Sequence, residues 1–252
     1  MSRLEKLRVK IFADGADFDG IVKLAANKLI KGFTTNPTLA RKAGVTDYEA
    51  FGRKVLGAVS GRPVSLEVFA DDFDEMIRQA RSIASWGPNV NVKIPVTNTR
   101  KEFAGDVIRA LSAEGVVVNV TAIMTLDQVR QVTDCLAPGT PAIISVFAGR
   151  VADTGVDPVP LMTEALTIMA ARPKAELIWA SPRELLNVFQ ADQIGCHIIT
   201  VTNDILGKLS LVGKDLETYS LETVEMFRKD AVAAGFTIKG TDAPAERRRA
   251  SA

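Results

Sequence analysis

Lys93 stands within Val90-Asn91-Val92-Lys93-Ile94-Pro95-Val96, a cation inside a run that otherwise reads as a buried β-strand. Lysine is seldom buried without a partner or a task. Desolvation disfavours an ammonium ion, so a lysine in such a place is drawn toward the neutral amine, a nucleophile that forms Schiff bases with ketones and aldehydes. A structural lysine paired with a carboxylate, or one reaching out of a strand end, fits the same run. Other polar side chains recur at the ends of similar runs: Asp14, Thr34 with Asn36, Glu67, Asn119 with Thr121, Ser145 before Arg150, and Ser181 before Arg183. Side chains alternate along a strand, so Asn119 and Thr121 share one face, as do Thr34 and Asn36. Gathered at one mouth, so many polar groups would make a wet, organised pocket around Lys93 and favour its reading as a nucleophile. Two arginines at that mouth, on a chain without a basic surface, suit a small dianion such as a sugar phosphate.

Several of these residues have a plainer reading. Asp14 precedes glycine and fits a strand-end turn, and Glu67 fits a structural ion pair with Lys93. Ser181-Pro182-Arg183-Glu184 fits a capping box with proline in the first helical turn, whose N-terminus would also favour an anion. Gly149, before Arg150, would let the backbone pass close to a ligand. Asp71 and Asp72 read as first-turn helix charges.

The elements that must position these residues follow a regular rhythm. Short β-branched runs occur at Val9–Asp14, Gly32–Asn36, Val64–Phe69, Val90–Pro95, Val116–Thr121, Ala142–Phe147, Glu176–Ala180 and His197–Val201. Between them lie stretches of helical period, among them Tyr48–Val59, Asp71–Ser85, Lys101–Glu114, Leu126–Leu136, Pro160–Ala171 and Pro182–Gln193. The runs are apolar enough to be buried on both faces, as parallel strands are. Eight such units in 252 residues predict an α/β protein with a single (β/α)8 TIM barrel. An open doubly wound sheet is disfavoured, because Asp14-Gly15-Ala16-Asp17 is not a dinucleotide-binding glycine motif. Met1–Arg8 reads as a short capping helix and Ser220–Ala234 as an additional C-terminal helix. Residues 1–240 are expected to form the catalytic barrel domain and residues 241–252, rich in arginine, a disordered tail.

The totals exclude other classes. Lys and Arg number 31 against 30 Asp and Glu, which argues against a nucleic-acid binder held by a broad cationic face. No apolar run reaches the length of a membrane span and the opening residues do not read as a signal peptide, so a cytoplasmic protein is expected. Cys135 and Cys196 fit buried free thiols. The one histidine, His197, rules out a multi-histidine metal site and lies at the wrong end of its strand for the chemistry proposed.

Several motifs in fixed order, one per strand end, make the chain resemble the transaldolase family, which also contains the fructose-6-phosphate aldolases. They are Ile11-Phe12-Ala13-Asp14, Gly32-Phe33-Thr34-Thr35-Asn36-Pro37, Leu66-Glu67-Val68, Val92-Lys93-Ile94-Pro95, Asn119-Val120-Thr121, Ser145-Val146-Phe147-Ala148-Gly149-Arg150 and Ala180-Ser181-Pro182-Arg183. The resemblance implies a Schiff base on Lys93, proton transfer by Asp14, and a water held by Glu67 and Thr121. It also implies hydroxyl contacts from Asn36, Asn119 and Ser145 and an anion grip by Arg150, Ser181 and Arg183, with no metal or organic cofactor. As the family pattern goes, the aldolase branch has glutamine in place of Glu67 and tyrosine in place of Phe147 and lacks Asn119, so this chain falls on the transaldolase side. The alternatives are cleavage releasing free dihydroxyacetone and a non-catalytic barrel that binds sugar phosphates. The resemblance further implies a homo-oligomer built with the C-terminal helix.

Overall fold

A computed structural model describes residues 3–238. Its strands are β1 Lys10–Asp14, β2 Ile30–Thr34, β3 Val64–Glu67, β4 Val90–Pro95, β5 Val118–Ile123, β6 Ala142–Val146, β7 Ala175–Trp179 and β8 Ile198–Thr202. Each pairs in parallel with the next and β8 pairs with β1, closing the barrel. The expected (β/α)8 fold is therefore present, and so is the additional helix, which runs Leu216–Ala233. One compact unit closes at Ser210 and a second begins at Leu211. The expected tail at 241–252 lies outside the described residues.

Two apolar regions follow from strand alternation. Outward-facing Val92, Ile94, Val118, Val120 and Ile144 are fully buried among residues of the surrounding helices. Inside the barrel, Phe12, Ile143, Ile178, Ala180 and Ile198 form a separate cluster. Phe12 fills its space because β2 offers Gly32 opposite it: a Cβ there would lie 2.5 Å from the Phe12 ring. The same interior turns polar on β3 to β5, where Ser65, Asn91, Lys93 and Asn119 are all buried. Alternation thus carries each strand's polar residue onto the inner face, above or beside this cluster.

Several boundaries differ from expectation for local reasons. The stretch expected as a helix over Lys101–Glu114 is helical only at Gly105–Ala113. Its first residues are held by an antiparallel bridge between Thr97 and Phe103, with Lys101 at φ 66°. The helix after β3 begins at Phe73, so Asp72 is its N-cap, accepting from the Glu75 amide, while Asp71 lies outside it and accepts from Thr99. The N-terminal cap is a 3-10 turn at Arg3–Lys6. Short helices at Phe18–Ala25, Pro37–Lys42, Ala148–Asp153 and Asn203–Gly207 were not anticipated. The last three span six residues or fewer, too short for a period to show.

Candidate active site

The carboxyl ends of the strands surround a cavity of about 620 Å³ lined by Asp14, Asn36, Glu67, Lys93, Thr121, Ser145, Arg150, Ser181 and Arg183, together with Thr34 and Thr200. Nine of the ten residues given a role in the sequence reading, and Thr34 beside them, therefore meet at one mouth. The tenth, Asn119, does not line it. Asn119 is fully buried; its amide donates to Ser65 Oγ at 2.9 Å, and its Oδ1 accepts from Ser145 Oγ at 2.7 Å. It is joined to the cavity wall through Ser145.

Lys93 is 6 % exposed. Register places it beside Glu67 on β3 and Asn119 on β5. Its Nζ donates to the Thr35 carbonyl at 3.0 Å and stands 3.4 Å from Glu67 Oε2. Both carboxyls have their proton affinity raised, chiefly by burial, against the opposing pull of Lys93. Thr34 also opposes the shift at Asp14, donating to Asp14 Oδ1 at 2.7 Å. Glu67 is further raised by the nearby Asp14 charge, and its backbone amide donates to the Tyr48 hydroxyl at 3.0 Å. The Thr121 hydroxyl is buried without a hydrogen-bond partner among the described residues. Just beyond it β5 is irregular, with Ala122 at φ 63°.

Asn36 caps the helix Pro37–Lys42, its Oδ1 accepting from the Leu39 amide at 3.0 Å. That leaves its NH2 group for the cavity. At the opposite wall the expected capping box at Ser181 does not form. Ser181 has φ 55°, the helix begins at Leu186, and the Arg183 and Glu184 amides donate to Asn187 Oδ1 at 2.8 and 3.1 Å. The left-handed turn at Ser181 carries the chain out of the path a first helical turn would need. Gly149 is required by this turn. A Cβ at Gly149 would lie 1.5 Å from the Ser181 carbonyl oxygen.

The cations differ in their freedom. Arg183 is engaged by Asp153, with Nε donating to Oδ1 at 2.9 Å and Nη2 bound to Oδ2. Arg150 lies 5.2 Å from the centre of the Phe147 ring and makes no ion pair among the described residues. Lys42, which the sequence reading missed, lines the cavity from the β2 side, equally without an ion-pair partner among the described residues. Thr200, also missed, is the contribution of β8. Neither shows in the sequence, since lysine at a helix end and threonine in a strand are both ordinary.

His197 lies at the other end of the barrel, its Nδ1 accepting from the Leu177 amide at 3.0 Å. Cys135 and Cys196 are free and buried, and burial pushes the Cys196 thiol up to about 12. Among the described residues, no three His, Cys, Asp or Glu side chains group as a metal site. No helix there is long and apolar enough to cross a membrane.

Comparison with known proteins gives the family. Residues 11–239 match the sequence pattern described as Transaldolase/Fructose-6-phosphate aldolase. A "Probable transaldolase" of Dehalococcoides mccartyi is 37% identical over 199 residues, covering 79% of this chain and 88% of that protein. "Probable transaldolase 2" of Listeria monocytogenes is 35% identical, covering 80% and 88%. A "Probable transaldolase" of Thermoanaerobacter sp. is 33% identical, covering 91% and 100%. Among solved structures, an HpcH/Hpal aldolase/citrate lyase family protein from Burkholderia cenocepacia superimposes with a TM-score of 0.53 at 14% identity, covering 88% of this chain and 98% of that one. A 2,3-dimethylmalate lyase gives 0.51 at 13%, covering 96% and 89%. At such identities these two speak for the barrel fold alone.

Proposed function

Since the chain belongs to the transaldolase/fructose-6-phosphate aldolase family, we propose that it transfers a dihydroxyacetone unit from a ketose phosphate to an aldose phosphate through a Schiff base on Lys93. The observation that carries the proposal is the buried Lys93 amine, held 3.4 Å from Glu67 at the floor of a cavity that also receives Asp14.

Lys93 Nζ adds to the ketone carbon C2 to give a carbinolamine, which loses water to become an iminium ion. Asp14 takes the proton of the C4 hydroxyl as the C3–C4 bond breaks. The bonding pair moves into the iminium to give an enamine, and the aldose phosphate departs. An acceptor aldehyde then undergoes the reverse, Asp14 returning the proton to the new C4 oxygen and water releasing the product ketose from Lys93. Burial raises the Asp14 carboxyl above the usual carboxylate range, which suits a group that must both take and return a proton. The orphan Thr121 hydroxyl and Glu67 together can hold the water exchanged at C2. Asn36 and Ser145 face the three-carbon unit, and Arg150, with Ser181 and Arg183, the terminal anion. Phe147 on the cavity wall has no hydroxyl to set a water against the enamine, which favours transfer over release of free dihydroxyacetone.

Borohydride reduction in the presence of fructose 6-phosphate, followed by peptide mass analysis, tests this reading. A three-carbon adduct on Lys93 that disappears when erythrose 4-phosphate is added is the expected result. Lys93→Ala should lose turnover by at least about a thousandfold. Unchanged turnover in that variant would refute the mechanism.

A further inference from the structure

We propose that Thr34 is a positioning residue for the base Asp14, and that Thr200 on β8 holds Thr34 in place. This deepens the transaldolase reading and rests on Asp14 as its base. Thr34 Oγ1 lies 2.7 Å from Asp14 Oδ1 and 2.5 Å from Thr200 Oγ1. Both threonines are buried, at 3 % and 7 % exposure, and both reach the cavity. Their β-branched side chains on paired strands leave little rotamer freedom.

Proton counting fixes the direction of the chain. An ionised carboxylate only accepts, and Thr34 has one hydroxyl proton. While Asp14 is ionised that proton goes to Asp14, so the contact between the threonines is filled by the Thr200 proton. When Asp14 has taken the substrate's proton, Asp14 can donate to Thr34 and Thr34 to Thr200. One chain of three groups thus serves both protonation states of the base without moving a heavy atom. Thr200 gives the Thr34 proton a second acceptor, so the proton taken up by Asp14 can sit on either carboxyl oxygen without leaving a buried hydroxyl unpaired. The charged groups acting on Asp14 are Lys93 on β4 and Glu67 on β3. Thr34, on β2 between β1 and β3, is the hydrogen-bond donor that offsets burial. A conjoined chain of this kind also polarises each bond in it.

The test compares Thr34→Val, Thr34→Ser and Thr200→Val by two readouts. One is the pH profile of kcat/KM. The other is the infrared carbonyl band of protonated Asp14 in substrate-free protein, assigned by its loss in Asp14→Asn. In Thr34→Val the acid limb and the infrared titration should both move up by about one pH unit, equivalent to tenfold in protonation. There kcat should fall by about tenfold to a hundredfold, with KM changed less than about threefold. Thr34→Ser keeps the hydroxyl and should restore the titration. Thr200→Val should give a smaller shift in the same direction, because Thr34 keeps its proton but loses its fixed orientation. An Asp14 titration that stays in place in Thr34→Val, or that moves equally in Thr34→Ser, would overturn the proposal. Should Thr34→Val fold poorly, an Asp14 titration unmoved in Thr200→Val overturns it equally. The infrared readout needs no turnover: a shift there in a protein without transaldolase activity would uphold the Thr34 role and sink the functional reading.

Discussion

Asp14 binds its proton more tightly in the folded chain than in the unfolded one, because burial outweighs the help of Lys93 and Thr34. Between the unfolded value, near 3.8, and the higher folded one, the native state holds more protons. Stability therefore falls as pH rises through that window, and above it the ionised carboxylate is a standing cost. Asp14→Asn keeps an acceptor for Thr34 and removes the charge. It should unfold later at neutral pH by roughly 0.5–2 kcal/mol while losing turnover. That advantage should disappear in acid, below pH 3.8, where both proteins carry a neutral side chain at this position. Thermal melts over a pH series read both effects, and a variant less stable than wild type at neutral pH would contradict the account. At this scale the sequence revealed what is rare and concealed what is common. A lysine amid β-branched residues is conspicuous, as are carboxylates at strand ends. Thr200 is not, because threonine belongs in strands. Asn119 was visible as a polar residue, but sequence spacing cannot tell a cavity wall from the layer beneath it, where it holds Ser65 and Ser145.

Among the elements, the junction of β6 and β7 brings Arg150, Ser181 and Arg183 to the cavity. The first turn of the helix Ala148–Asp153 lies against the Ser181 turn, with the Gly149 amide donating to the Ala180 carbonyl at 3.3 Å. Gly149→Ala places a methyl group where the Ser181 carbonyl stands, so one of the two backbones must retreat. Overpacking of this kind costs about 1–3 kcal/mol. Because Arg150, Ser181 and Arg183 all hang from the two segments involved, KM for a phosphorylated donor should rise by about tenfold or more, while kcat falls less. Steady-state kinetics distinguish this from a fall in kcat alone, which would place the strain at Lys93 instead. Strands were legible from β-branched content and from the residues that end them, and most helices from their period. Helix starts were not. Pro182 has the right type for a first helical turn, yet the amides of Arg183 and Glu184 are satisfied by Asn187, further along the chain. Lys101–Phe103 has helical composition but is claimed by pairing with Thr97. In both cases a competing local hydrogen bond outbids helical preference.

For the whole molecule, the C-terminal unit poses a different question. No residue of the helix Leu216–Ala233 is buried, and Leu221, Val224, Phe227 and Val232 are all more than half exposed. Apolar surface of this kind commonly marks an interaction site. The chain of 27.1 kDa is accordingly expected to sediment as a homo-oligomer. Glutamate at both 221 and 227 should reduce its mass without unfolding the barrel, and an unchanged monomeric mass in both proteins would refute the expectation. The extra helix itself was legible from composition, though its start at Leu216, capped by Asp215, was placed late. The closed barrel has one more consequence, for the order of events. On the mechanism proposed above, donor and acceptor must reach the same carbon, bound to Lys93, by the same mouth. The second sugar cannot take its place until the first aldose has left. Initial rates at several fixed acceptor concentrations should therefore give parallel double-reciprocal lines, since the two substrates visit this protein only in turn.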